Sequence, residues 1–277
     1  MLCMRRCRAR PSRCYDDDQY KTALAVILYE YPFNERVRTY LRLEHLFERL
    51  GQLLARDAAI DHHFAFVTMF EIIEVAARSE LKSDVLKDLE KHKQHMLAFR
   101  GNPSIAQDVL EGVIGQIEAA FASVNTQIGK TGSTLNDNEW ITSVRSRIAI
   151  PAGTCEFDLP AYFHWQHHAP ARRREDLMRW ASTLWPLAKS VQLLLKLLRD
   201  TGSAQKVMAV SGQYQQHLPQ GRSFQLLRLR IDPQLNLVPE ISGNRLIISV
   251  RLLKPSADDK LPASVTDDAG FELTLCS

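Results

Sequence analysis

Ala25-Val26-Ile27-Leu28-Tyr29-Glu30-Tyr31-Pro32-Phe33-Asn34-Glu35 holds the change of pattern on which the fold turns. Most of its first seven residues are β-branched, aliphatic or aromatic, and the run stops at Pro32, which predicts a strand. Asn34 then reads as a helix N-cap, with Glu35 in the first turn where the helix dipole favours an acid. Beyond it Val37, Leu41, Phe47, Leu50 and Leu54 recur along one face, and Leu43 and Leu46 widen that face. The spacing predicts an amphipathic helix of about six turns.

Further helical patterns follow. Ala59 to Ala77 carries Phe64, Phe66, Val67, Phe70, Ile73 and Val75. Ser83 is expected to cap a segment bearing Val85, Leu86, Leu89 and Met96, and Asn102-Pro103 to open one bearing Ile105 to Phe121. Gly129 to Asn138 reads as a loop, followed by a shorter helix with Trp140, Ile141 and Val144. Ile148 to Phe157 reads as two short strands around a Pro/Gly turn. Helices resume near Leu159 and from Ala171 to Asp200, divided at Pro186. After Gly202 the pattern is strand-like, strongest at Leu226 to Ile231 and Arg245 to Leu252.

No regular βαβ alternation is present, so a doubly wound parallel sheet is not expected. The expected class is α+β: a mainly helical domain joined to an antiparallel β-domain whose strands are distant in sequence. The boundaries read as a disordered basic tail over 1–24, a β-domain from 25–33, 148–158 and 203–277, and a helical domain from 34–147 and 159–202.

Charge narrows the function. The chain has 35 basic and 32 acidic residues, a formal net of +3. Arg5, Arg6, Arg8, Arg10 and Arg13 all lie in the first 14 residues, which hold no acid. Without them 30 basic residues face 32 acidic ones, a net of −2. A nearly neutral body argues against a general nucleic-acid binder. Cys3, Cys7 and Cys14 lack a fourth ligand nearby to complete a metal site, and the tail lacks the apolar centre of a signal peptide. Cys155 and Cys276 are too few for a disulfide framework, which fits a reducing cytoplasm. No apolar run reaches the roughly 18 to 20 residues that span a bilayer.

Catalytic patterns fail one by one. Gly129-Lys130-Thr131 resembles the end of a phosphate loop, but Val124 stands where the motif needs glycine. His164, His167 and His168 share a predicted helix, yet no adjoining acid or cysteine completes a zinc set. His62-His63 and the His92/His95 pair read as ordinary histidines. Cys155 reads as a core thiol. The expectation is a non-enzyme without metal or cofactor.

The arginines carry more information. Arg38 and Arg42 lie four apart on one face of the first helix. Residues 222–254 hold Arg222, Arg228, Arg230, Arg245, Arg251 and Lys254 against Asp232 and Glu240, a local net of +4. By the period of two, Arg228 and Arg230 share one strand face and Arg245 and Arg251 another. Such charge commonly protects a sheet edge from aggregation. It can also line a groove for an acidic or mixed peptide, because guanidinium forks grip carboxylates. Two other classes stay open: a nucleic-acid-binding protein using the basic C-terminal strands, and a metal-dependent hydrolase using the histidines.

Three segments together resemble the Z-ring-associated protein D family, cytoplasmic division proteins that bind FtsZ. They are Tyr29 to Glu44 (YEYPFNERVRTYLRLE), Arg145 to Pro160 (RSRIAIPAGTCEFDLP), and Ile241-Ser242-Gly243 with the arginine-bearing strand after it. Their order and spacing match the family over about Ile27 to Phe271, and the basic tail lies outside. The resemblance implies a helical domain joined to a β-domain, a homodimer at the midcell division site, and bundling of FtsZ filaments through FtsZ's C-terminal tail. It implies no membrane and no nucleic acid. Arg78 and Arg251 match basic tail-binding positions, Arg245 matches one across a shift of register, and Arg42 matches a charged first-helix position implicated in bundling. Glu139 and Phe163 replace two other charged positions of the family.

Overall fold

A computed structural model describes residues 26–77, 80–127, 129, 131–256 and 261–277. The basic tail, with its three cysteines, lies outside these residues. So do Arg78 and Lys130. The chain opens with strand β1 (Ile27–Pro32), and the long helix α1 (Glu35–Leu54) begins one turn later. The Asn34 side chain accepts a hydrogen bond from Val37 N at 2.8 Å, the N-cap that the sequence predicts. Helix α2 (Ala59–Ala77) has the predicted bounds. The helical series continues with α3 (Leu81–Leu97), α4 (Gln107–Asn125), the single turn α5 (Ser133–Asn136), α6 (Glu139–Ile148), α7 (Pro160–Gln166), α8 (Pro170–Ala181) and α9 (Trp185–Arg199). Strands follow: β2 (Ser203–Ala209), β3 (Gln213–His217), β4 (Leu226–Ile231), β5 (Val238–Gly243), β6 (Ile247–Lys254), β7 (Ala263–Ser264) and β8 (Ala269–Cys276).

Three local expectations are corrected. Residues 148–158 form no strand. Ile148 ends α6, and a chain of tight turns follows, with Ile150 N to Arg147 O at 3.0 Å, Gly153 N to Ile150 O at 2.9 Å and Asp158 N to Cys155 O at 3.1 Å. Pro151 has no N–H to give a ladder, and Ala152 sits at φ 57. Gly153 lies so close to the preceding turn that a Cβ would meet Arg147 O at 2.6 Å. Ser83 does not cap α3, whose N-cap is Glu80 in a left-handed conformation. Asn102 opens a turn, accepting from Ser104 N at 3.0 Å, and α4 starts only at Gln107.

The α+β class stands, with an antiparallel β-domain of two sheets. One has the order β1-β4-β8-β2; the other is β3-β6-β5, with β7 paired to the end of β6. Strand β1 pairs with β4 nearly 200 residues later, Glu30 opposite Arg228. Alternation then divides each strand of the first sheet between two layers. Leu227, Leu229, Ile231, Phe271 and Leu273 face inward against Ile248, Val250 and Leu252 of the second sheet. Leu226 and Cys276, paired across β4 and β8, instead join the helical core with Leu43, Leu50, Phe66, Val191 and Leu195. The first sheet is therefore the middle layer.

On its helix-facing side an ion network adds to this apolar contact. Arg199 ends α9 and donates to Glu30 on β1 at 2.9 and 2.6 Å and to Glu44 on α1 at 2.8 and 2.6 Å. Arg228 on β4 donates to the same Glu30 at 2.9 Å. All four side chains are at most 22% exposed. Two guanidiniums face two carboxylates, so the cluster is neutral. The hydrogen bonds to Glu44, with those to Glu30, hold the Arg199 pKa above its ordinary value against the opposing effect of burial. Removing Arg199 leaves Glu30 with Arg228 alone and the mostly buried Glu44 with no cation among the described residues. Arg199→Met should cost about 3 kcal/mol in urea unfolding. Arg36→Ala, which breaks exposed pairs to Asp84 and Asp88, should cost under about 1 kcal/mol. Equal losses would reduce the network to a surface contact.

A second buried polar node ties the α1–α2 corner to α8. His62 is fully buried; its Nε2 bonds the Arg56 carbonyl at 2.9 Å and its Nδ1 accepts from Arg173 Nε at 3.0 Å. Arg173, itself buried, also donates to the carbonyls of Gln166 at 2.7 Å and Asp57 at 2.6 Å. Because a guanidinium only donates, His62 must be the neutral Nε2–H tautomer. Burial lowers its pKa from 6.5, Arg56's carbonyl opposes the shift, and Arg173 adds to it. Burial shifts His63 and His92 the same way. Below pH 6.5 the unfolded chain takes up protons that the folded one refuses, so stability falls as pH drops through that value. Unfolding followed from pH 7.5 to 5 should show this loss, with a shallower slope for His62→Gln. Parallel slopes for the two proteins would refute it.

Candidate partner-binding grooves

Two grooves flank the corner where β1 passes into α1. The first, of about 540 Å³, runs between α1 and α2. Pro32, Leu41, Leu46 and Val75 give it apolar surface, Arg38, Arg42 and His45 line it from α1, and Glu71 and Glu74 from α2. Positions 38, 41, 42 and 45 share one side of α1 by helical spacing. Arg38 bonds Glu35 Oε1 at 3.1 Å, and Glu71 is engaged by Arg49. Arg42 is exposed and has no ion-pair partner among the described residues. Arg78 lies outside the described residues, and α2 ends at Ala77 just before it. The structure thus brings Arg38 and Arg42 together, as the spacing predicts.

The second cleft, of about 810 Å³, lies in the β-domain. It is bounded by Phe33, by the β3–β4 connection from Leu218 to Phe224, and by the β5–β6 turn from Gly243 to Leu246. Arg245 is here, and its position is a correction. It does not share a strand face with Arg251, because β6 begins only at Ile247. The Asn244 side chain accepts from Leu246 N at 2.8 Å and from Ile247 N at 3.1 Å, which forms a side-chain-closed turn and holds Arg245 outside the ladder.

The strand arginines are neutralised where they stand. Arg228 belongs to the Glu30 network, Arg230 faces Glu272 at 3.5 Å, and Arg251 is paired across the strands with Glu240, donating to it from Nε at 2.8 Å. Arg228 therefore has a structural partner between the layers. Arg251 remains half exposed on the outer side of the second sheet, where a competing carboxylate can reach it. This pairing leaves none of these three strand arginines free to track a nucleic-acid backbone. Of the histidines, His167 Nδ1 meets the Phe163 carbonyl at 2.8 Å and His164 stacks edge-on with His168. Phe163 packs on His167, and Glu139 is exposed in the first turn of α6.

Sequence reasoning passed over two parts of this picture. Arg199 and Glu44 give no local motif, since their partners lie far away in the chain, Arg199 bonding Glu30 on β1 and Glu44 on α1. In the sequence Arg222 reads only as local charge, although its place between Pro219, Gly221 and Phe224 marks a loop that displays it.

No helix among the described residues is long and apolar enough to cross a membrane. A family model described as ZapD, cell division protein, matches residues 41–251, more than half of the chain. The match begins inside α1 and runs through the helical series and the central strands to Arg251 on β6. This protein belongs to the ZapD family of cell division proteins.

Proposed function

We propose that this chain is a non-catalytic cytoplasmic division factor that binds the C-terminal tail of FtsZ and, as a homodimer, crosslinks FtsZ filaments into bundles at midcell. The observation that carries the reading is the α1–α2 groove. It offers apolar surface together with an exposed guanidinium, Arg42, that no described acid neutralises. Such a surface suits an extended segment that combines carboxylates with apolar side chains. Family membership supports the choice of partner. Arg78 follows α2 in the chain and, by the resemblance, matches a basic tail-binding position. Arg251 takes part by exchanging Glu240 for a ligand carboxylate.

Bundling then needs no strong single contact. A two-fold dimer presents two identical grooves, and a filament presents many tails, so modest affinities multiply through effective concentration. Screening over about 8 Å at physiological salt weakens exposed ion pairs, so the bundling should decline as salt rises.

Co-sedimentation with full-length and tail-truncated FtsZ tests the reading. The wild-type chain should pellet only with the full-length protein. Arg42→Glu, Arg78→Glu and Arg251→Glu should each lower the pelleted fraction about tenfold at unchanged thermal stability, since each replaces an attractive contact by a repulsive one. Pelleting with tail-truncated FtsZ would remove the partner segment. Wild-type pelleting by both Arg78→Glu and Arg251→Glu would remove the site.

A further inference from the structure

Away from both grooves, the aromatic core of the helical domain opens onto a cavity of its own. Phe66 on α2 is fully buried and meets Trp165 and Trp180 with ring centres 5.3 Å apart, and Trp140 at 5.8 Å. Trp165 is buried, and its Nε1–H donates to Asp176 at 3.1 Å. Trp140 on α6 and Trp180 on α8 stack on each other, 5.2 Å apart and 25° from parallel, and are only partly buried. Their Nε1–H groups have no partner among the described residues. Both indoles line a cavity of about 360 Å³, within the range of ligand sites. An indole pair with apolar surface and polar hydrogens both unused is the kind of surface that ligands complete.

The walls around the indoles are fixed by contacts of their own. Thr134 lines the cavity from α5, and that turn is anchored at both ends. Gly132, just before it, lies so close to α2 that a Cβ would meet Ile73 Cγ1 at 2.7 Å. Asn136, at its end, accepts from Arg145 Nη1 at 2.9 Å and from the Thr142 hydroxyl at 3.0 Å. On the α8 side Arg179 is held by a relay. Its Nη2 donates to Asp176 Oδ1 at 2.7 Å, while the buried Trp165 holds the other oxygen of that carboxylate. The guanidinium lies 5.5 Å from the centre of the Trp180 ring. A site whose parts are already positioned loses little to ordering when it is filled.

The polar part of the lining offers donors. No aspartate or glutamate lines the cavity. Arg179 spends one of its five N–H groups on Asp176. Asn138 uses its Oδ1 to cap α6, accepting from Ile141 N at 3.1 Å, which leaves its amide hydrogens available. The Thr134 hydroxyl has no partner among the described residues. We propose that this cavity binds a small planar aromatic anion, whose ring lies against Trp140 and Trp180 and whose carboxylate or phosphate meets Arg179. Aromatic side chains stack planar rings, and a guanidinium grips either anionic group through charge-assisted hydrogen bonds. The inference is independent of the FtsZ reading, since none of the residues lining this cavity lines either groove.

Calorimetric titration of the full chain with AMP and with 1-naphthoate tests it. At least one of these anions should bind saturably, at one per protomer. The uncharged counterparts, adenosine and 1-naphthylmethanol, should bind at least about tenfold more weakly, as expected for lost charge-assisted hydrogen bonds. Arg179→Met should weaken the anion by a similar factor at unchanged melting temperature, because its side chain is 68% exposed. Thr134→Trp, which fills the cavity from an exposed position, should abolish binding. Binding of AMP alone would assign the site to nucleotides, binding of naphthoate alone to aromatic carboxylates, and either result supports the proposal. Absence of binding by both anions, equal binding of the uncharged counterparts, or full binding by Arg179→Met or Thr134→Trp would overturn it.

Discussion

The structure depends on one neutral cluster of charge, in which Arg199 reaches both Glu30 and Glu44 while Arg228 shares Glu30. These four residues come from α9, β1, α1 and β4, elements spread along nearly the whole described chain. The first sheet must face the second sheet on one side and the helices on the other. A wholly apolar outer face would make that second contact by area alone, which is non-directional. A fork of guanidinium bonds instead sets where the sheet lies against α1 and α9, since bidentate pairs constrain angle as well as distance. Leu226 and Cys276 add the apolar part of the same contact.

That placement generates the surfaces available for recognition. Because β1 is locked by Glu30 and runs almost directly into α1, the corner from Pro32 to Asn34 stands at the boundary of two layers. One side of it helps line the α1–α2 groove and the other the β-domain cleft. Most arginines nearby serve the fold or are neutralised. Arg199 and Arg228 hold layers together, Arg173 satisfies carbonyls at a buried corner, and Arg230 and Arg251 face acids across strands. Arg42, Arg222 and Arg245 differ in having none of these duties. In a nearly neutral protein, three unmatched guanidiniums beside concave apolar surface distinguish binding surface from general solubility charge.

Much of this architecture could be read along the chain. The Asn34 cap, the α1 face, the bounds of α2 and the strands at Leu226 and near Ile247 follow from local rules of capping, period and β-branching. The errors share a cause. At Ile148 to Phe157 alternating apolar residues imitate strands, but Pro151 and the close approach at Gly153 favour successive tight turns. At Arg245 the apolar run after it imitates a strand, yet Asn244 closes a turn on the backbone before the ladder starts. Side-chain competition for backbone donors overrides periodicity in short segments.

By itself the sequence determined the α+β class, the near-neutral body, the absence of local catalytic motifs, and the pairing of Arg38 with Arg42 on one helix face. Each of these depends on composition or on neighbours within a few residues, where the chain geometry is set. Only the tertiary structure decided which arginines are free. That property depends on whether an acid from a distant element arrives within bonding distance: Glu30 reaches Arg228 across almost 200 residues, and no described acid reaches Arg222 or Arg245. Charge can be counted in a sequence, but its neutralisation is a long-range contact made only when the layers close.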